Sequence, residues 1–197
     1  MIENISTKVE SALDFNGRII IQEEEYEMAM PSDTLAKATR FSYCSIDHST
    51  PDTPKLITGN FHSTVDNKYK NTPPQISFWN MEANKITSFD KYINLSNSDT
   101  RTNGTRIQGA IVYQDKLILN RSYAESGSTN EILMFKIDEN NELTLIAGKE
   151  HNWPIGCEDL AYDLENDVLY GLTEFKKKRF VFWCKLSSIL NQNNWSS

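Results

Sequence analysis

A stretch that recurs along the chain constrains its fold more than any other feature. The clearest copy, GCEDLAYDLENDVLYGLTEF, runs from Gly156 to Phe175 and contains two short strands with a turn at Glu165-Asn166-Asp167. Further copies begin at Val9, Phe41 and Ile107. Each pairs β-branched and aromatic runs with a polar turn, which is the pattern of a β-hairpin. Self-similarity of this kind indicates a repeat architecture.

Aromatic segments downstream of the hairpins predict further strands. Third strands are predicted at Gln75–Asn80, Glu131–Ile137 and Arg179–Leu186, and fourth strands at Lys85–Phe89 and Glu142–Ala147. A four-stranded antiparallel meander repeated about every 50 residues is one blade of a β-propeller. The sequence therefore predicts a single all-β, propeller-type domain over residues 1–197. Its repeats cover approximately residues 9–40, 41–90, 107–147 and 156–189.

The number of copies bears on whether the ring is complete. Four copies suit a small propeller, but the first copy has no convincing third strand and the last stops near Leu186. Residues Ile2–Ser6 are candidates for the strand that closes the ring. We expect a short or incomplete propeller, with one short helix at Ser32–Arg40.

Charge and composition exclude several classes of partner. The chain has 27 acidic and 20 basic residues and a net charge of −7, whereas a phosphate-binding surface needs clustered Lys and Arg. The basic run Lys176–Arg179 is expected at a hairpin tip. No stretch approaches the roughly 20 apolar residues that span a bilayer, and Met1–Glu10 is too polar for a signal peptide. We expect a soluble, cytoplasmic chain that binds no nucleic acid and inserts into no membrane.

The cysteines and aromatic residues are expected to be structural. Cys44, Cys157 and Cys184 are odd in number and lack CxxC spacing, so they indicate neither a zinc site nor a disulfide framework. Cys44 is expected in the core because other copies have an apolar residue at its position. The recurring aromatic residues are expected between sheets: Phe78-Trp79, Phe135 and Phe180 to Trp183.

Repeat equivalence predicts a site. The first strand of each propeller blade lines the central channel, so equivalent side chains near its start should converge at one mouth. Aligning the copies gives two successive positions, Glu10, Ser42, Gln108 and Glu158, then Ser11, Tyr43, Gly109 and Asp159. A further set is expected at the ends of the second strands on the same mouth: Glu25, Asn60, Ser122 and Glu174.

Oxygen-rich side chains at such a mouth suit a hard cation. Ca²⁺ and Mg²⁺ prefer carboxylate, amide and water oxygens, so Glu10, Gln108, Glu158 and Asp159 are the predicted metal ligands. Glu158 and Glu174 are the candidate catalytic acid and base, and Arg121 the candidate group for an anionic substrate. The alternative is that these polar groups cap strand ends and bind only water.

The repeat phrases resemble those of known propellers. SYCSID, IQGAIVYQDKLILNRSY and EDLAYDLENDVLYGLTEF followed by RFVF are similar to phrases of bacterial, often secreted, β-propeller proteins of unknown function. That resemblance implies a fold and no reaction. More loosely, EDLAYD at Glu158–Asp163 is similar to a repeat phrase of six-bladed propellers such as gluconolactonases, strictosidine synthase-like proteins and esterase-like phytases. The chain lacks a recognisable set of their metal-binding Asn and Asp residues beyond this phrase.

Two functions therefore remain. The first is a binding or scaffold propeller that presents one mouth to a protein, peptide, glycan or small molecule, since the sequence has no nucleophile motif, histidine cluster or cofactor motif. The alternative is a divalent-metal-dependent hydrolase of lactonase or esterase type that uses Glu158, Asp159 and Glu174.

Overall fold

The computed structural model describes residues 10–13, 19–21, 41–50, 52–63, 74–83, 85–96, 105–122, 130–150, 153–154, 156–173 and 179–191. The chain divides into two compact units, residues 1–39 and 40–197. In the N-terminal unit, β1 (Glu10–Leu13) pairs antiparallel with β2 (Ile19–Ile21), as the first predicted hairpin requires. The predicted helix at Ser32–Arg40 and the segment Ile2–Ser6 lie outside the described residues.

The second unit consists of three antiparallel sheets, in each of which the strands follow chain order. The first sheet contains β3 (Phe41–Asp47), β4 (Lys55–Asn60), β5 (Gln75–Glu82) and β6 (Lys85–Asn94). The second contains β7 (Ile107–Tyr113), β8 (Lys116–Arg121), β9 (Glu131–Ile137) and β10 (Leu143–Glu150). The third contains β11 (Cys157–Asp163), β12 (Val168–Thr173) and β13 (Val181–Lys185), followed by helix α1 (Leu186–Leu190). The structure confirms the all-β prediction.

The second sheet is buried on both of its faces. Along β9, Leu133 and Phe135 belong to a core shared with the first sheet, whereas Ile132 and Met134 belong to a core shared with the third. Successive side chains of a strand point to opposite faces, so β9 needs apolar residues in succession rather than in alternation. This explains the run ILMF in the sequence.

The first strands of the three sheets, β3, β7 and β11, contact one another, and we call them the leading strands. The Ser45 hydroxyl donates to the Ala110 carbonyl, and the His48 amide donates to the Tyr162 hydroxyl at 2.9 Å. Stacked sheets lie about 10 Å apart, so two parallel sheets that flank a third would be about 20 Å apart. Contact between β3 and β11 therefore means that the sheets diverge from a common line, which is a propeller-like arrangement.

Two predictions about the core are wrong. Cys44 is exposed, although its repeat equivalents Ala110 and Leu160 are buried. Cys44 lies on the face of the first sheet that points away from the second, but Thr58 and Ser77 in the same row are buried, so the face alone does not explain its exposure. Phe180 and Trp183 are also exposed, at 51% and 67%. The face of the third sheet that carries Trp183 points away from the second sheet, and Phe180 precedes β13 and contacts the ring of Phe182. Phe78 and Phe135 are buried between the first and second sheets as predicted, and Trp79 is buried but lies on the other face of β5.

Gly109 gives a direct test of how closely the second and third sheets approach. A Cβ atom on Gly109 would overlap the backbone carbonyl oxygen of Glu158, which cannot move without displacing β11. The three atoms nearest to a Cβ on Gly171 all belong to the ring of Phe182, a partly exposed side chain. We expect Gly109→Ala to lower the free energy of unfolding by about 2 kcal/mol or more, and Gly171→Ala by less than about 1 kcal/mol. Urea denaturation of both variants measures the difference, and equal losses would contradict the close approach.

Candidate functional site

A β-bulge interrupts each leading strand close to its start. The register shifts fall at Ser42 in β3, at Gln108 in β7 and at Glu158-Asp159 in β11. These are the positions at which repeat equivalence predicted the site. Bulges bend a strand and redirect side chains, and they are frequent beside functional sites. We call this end of the leading strands the bulge end.

The two longest connections from a second to a third strand begin at the bulge end. They join Asn60 to Gln75 and Arg121 to Glu131, and each begins at the residue that pairs with the first residue of a leading strand. Connections at the opposite end are shorter: Tyr113 and Lys116 are joined by a two-residue turn, and the connection from Asp47 to Lys55 is as long as that from Thr173 to Val181. Because long loops on a rigid scaffold commonly carry binding groups, the bulge end is the candidate functional end.

Close packing holds β11 against the second sheet at this end. The side-chain amide of Asn120 donates to the Cys157 carbonyl at 2.8 Å, and the missing side chain of Gly109 leaves room for the Glu158 carbonyl. Both Asn120 and Cys157 are fully buried. The backbone at Glu158-Asp159 is therefore fixed next to Gly109, so two of the predicted equivalent positions meet here.

Asp159 and Tyr43 lie close enough to interact electrostatically. Burial is the main cause that raises the pKa of the Tyr43 phenol, and the negative charge of Asp159 raises it further. Asp159 is itself half-buried, and this burial raises the pKa of its carboxyl group, although the Leu160 amide donates to one of its oxygens. Tyr43 and Asp159, which repeat equivalence places at one position, are thus within electrostatic reach of each other. Convergence of the equivalent positions on one mouth stays a prediction.

Several buried polar atoms at the bulge end have no hydrogen-bond partner within the part of the chain that the structure describes. Each such atom costs about 1–3 kcal/mol when it stays unpaired, so it favours whatever group can pair with it. The atoms are Tyr43 Oη, Gln108 Oε1, Asn120 Oδ1, Ser122 Oγ and Asn130 Oδ1.

Arg121 is engaged with a neighbouring carboxylate. Its Nη1 lies 2.6 Å from Glu131 Oε2, and its Nε donates to the Thr105 carbonyl. The two side chains are 15% and 0% exposed, respectively. Glu131 therefore compensates the charge that was predicted to bind an anionic substrate, and that role stays a prediction.

Strand register corrects the alignment of the second predicted set. Asn60, Arg121 and Thr173 lie opposite the first residues of β3, β7 and β11. Ser122 is therefore equivalent to Phe61 rather than to Asn60. Glu174 and Glu25 lie outside the described residues. Glu10 is in β1 of the N-terminal unit, and only its backbone is described.

The predicted metal site stays a prediction. Within the described ranges, no group of three or more His, Cys, Asp and Glu side chains is arranged to hold a metal ion. Gln108, Glu158 and Asp159 nevertheless lie on the bulged segments of β7 and β11, and their oxygens are the donor type that Ca²⁺ or Mg²⁺ requires.

Two buried polar residues at the bulge end, Asn120 and Glu131, were not predicted from the sequence. Both lie at the end of an apolar run, LILN in β8 and EILMF in β9. A polar residue that closes a fully apolar strand is the signal that would have identified them, because such a residue is buried only where a partner is provided.

Comparison with known proteins gives similarity to solved structures and no match by sequence. No family model and no curated protein matches the chain. Among solved structures it is similar to the periplasmic gluconolactonase of Pseudomonas aeruginosa, PpgL, with 10% sequence identity and a TM-score of 0.43. The match covers 78% of this chain and 40% of that chain, so this chain spans less than half of that protein's length. The resemblance to bacterial propellers of unknown function stays a prediction.

The raised pKa of Asp159 gives a pH-dependent expectation. The folded state binds a proton on this carboxyl more tightly than the unfolded state, so ionisation of Asp159 destabilises the fold as pH rises. Asp159→Asn removes the charge and keeps the oxygen that accepts from Leu160. We expect a higher melting temperature for this variant at pH 7, and no gain below the ordinary pKa of aspartate. A gain that is independent of pH would contradict burial as its cause.

The pair formed by Arg121 and Glu131 is expected to be costly to break. Arg121→Leu leaves the fully buried Glu131 carboxylate uncompensated, and we expect a loss of about 3–5 kcal/mol in the free energy of unfolding. The double variant Arg121→Leu, Glu131→Leu should recover most of this loss. Chemical denaturation of the single and double variants tests the pair, and additive losses would contradict it.

Proposed function

We propose that this chain is a propeller-type binding protein that takes its ligand at the bulge end of β3, β7 and β11. The observation that carries the proposal is the β-bulge at the same repeat position of each leading strand. One bulge is a local irregularity, but the same bulge in three sheets directs three equivalent segments toward one region. Divergence of the sheets from the leading strands supports the propeller geometry.

The chemistry of the bulge end favours a ligand rich in hydrogen-bond donors. Gln108 Oε1 and the Asp159 carboxylate are acceptors, and Tyr43 Oη both donates and accepts. Hydroxyl groups of a glycan, or hydroxyl and amine groups of a small molecule, supply the matching donors. A protein or peptide ligand would also supply hydrogen-bond donors, since its backbone amides are donors.

A glycan array probed with the labelled chain tests the proposal. We expect binding by the wild type, and at least a tenfold loss of affinity, about 1.4 kcal/mol, in Tyr43→Phe and in Gln108→Leu. Both changes remove a buried atom that has no partner among the described residues, so neither should lower the melting temperature. A loss of binding without a loss of stability separates a ligand contact from a structural one.

Asp138→Asn is the matched control, because Asp138 caps the turn between β9 and β10 at the end of the strands opposite to the bulges. Its binding should equal that of the wild type. Binding that survives both site variants would contradict the proposal.

A rise in melting temperature with millimolar CaCl₂ or MgCl₂, abolished by Asp159→Asn, would instead favour the metal-dependent hydrolase.

A further inference from the structure

The exposed face of the third sheet corresponds to a buried interface in the other two sheets. We call the side of each sheet that points toward the next sheet in chain order its downstream face. Strand register makes Ile57, Ile118 and Tyr170 equivalent on β4, β8 and β12. Ile57 and Ile118 are 0% exposed because the next sheet covers them, whereas Tyr170 is 38% exposed.

The same difference holds on the third strand of each sheet. Phe78, Met134 and Trp183 are equivalent, since each pairs with the residue just described on its neighbour. Phe78 and Met134 are buried, and Trp183 is exposed. The downstream face of the third sheet also carries Leu172 and Val181, both exposed. A shallow groove on this face is lined by Asp159, Leu160, Ala161, Tyr170, Gly171, Leu172 and Val181. The face is thus a mainly apolar sheet-packing surface, with one carboxylate in the lining of its groove.

We propose that a second copy of this chain covers the face, downstream face against downstream face. An antiparallel sheet of the same repeat covers the downstream face of the first sheet, and another covers that of the second. A second copy of the chain would supply such a sheet to the third. Closed contacts between identical chains most often have two-fold symmetry, in which one patch meets itself. The face must therefore be self-complementary.

The order of the strands provides this self-complementarity. Strand β12 lies between β11 and β13, so a two-fold axis along β12 places β11 of one copy over β13 of the other. Asp163, Val168 and Lys185 form one row across the face, and Ala161, Tyr170 and Trp183 form the next. The axis therefore sets each Asp163 against the Lys185 of the other copy, and each small Ala161 side chain against the other copy's Trp183.

The Asp163 carboxylate in this row is charged at neutral pH. Hydrogen bonds from the Asn166 side chain and amide hold the pKa of Asp163 below its usual range. Opposite charges at the edge of an apolar interface set its register and orientation more than its affinity. The paired rows thus favour the two-fold arrangement over a shifted one.

Sedimentation velocity of the full chain, up to about 100 µM, tests the proposal, because dimers with dissociation constants in the micromolar range are populated at that concentration. We expect a dimer for the wild type and a monomer for Trp183→Asp, which buries a charge in the contact. Lys185→Glu should weaken the dimer about tenfold by placing like charges opposite each other. Circular dichroism should show unchanged strand content in both variants, because both side chains are exposed in one copy.

Tyr92→Asp is the matched control, because Tyr92 is an exposed aromatic residue on the first sheet, at 49%. It should dimerise like the wild type. A wild type that stays monomeric at all concentrations overturns the proposal and means that another segment of the chain, another protein or solvent covers the face. A dimer that persists in Trp183→Asp, or that is lost in Tyr92→Asp, overturns it by placing the contact elsewhere.

Discussion

The approach of β11 to the second sheet at Gly109 is the constraint on which the rest of the unit depends. A glycine in β7 admits the Glu158 carbonyl, and Asn120 holds the adjacent Cys157 carbonyl with a buried hydrogen bond. Together they fix the start of β11 beside β7. Because Asp159 follows directly, its half-buried carboxylate comes within electrostatic reach of Tyr43 on β3. Close packing and the candidate site therefore have the same cause.

Repetition of one unit explains both what is buried and what is exposed. Each sheet presents a downstream face to the next sheet, and the second sheet is buried on both sides because it has a neighbour on both. The third sheet keeps the same pattern of large apolar side chains, with Tyr170 and Trp183 at positions that are buried in the earlier copies. The downstream face of the third sheet therefore has the side chains of a sheet-packing interface but no sheet of the described residues packed on it, which is why we propose that a second copy covers it.

Sequence periodicity predicted the strands well and the environment of individual side chains less well. The hairpins, the third strands and the equivalence of Gln108 with Glu158 follow from local pattern, which the chain repeats, whereas the bulges at these positions were not predicted. Burial does not follow from local pattern, because it depends on which neighbours cover a residue in the folded unit. Cys44 is exposed, although its repeat equivalents Ala110 and Leu160 are buried. The ion pair of Arg121 with Glu131 could not be predicted either, since it depends on the side-chain conformations of two residues on neighbouring strands, at the end of β8 and the start of β9.

Within the described ranges, no helix is long and apolar enough to cross a membrane.

The central claim is that the leading strands of the first and third sheets touch although the second sheet packs between those sheets. Nuclear Overhauser effects in the full chain test it most directly, at the hydrogen bond between the His48 amide and the Tyr162 hydroxyl. The account predicts cross-peaks from the Tyr162 ring protons to the His48 amide and to the Tyr113 ring, whose centroid lies 6.2 Å from that of Tyr162. Cross-peaks to Tyr113 without any to His48 would indicate a plain stack of sheets and would contradict the account.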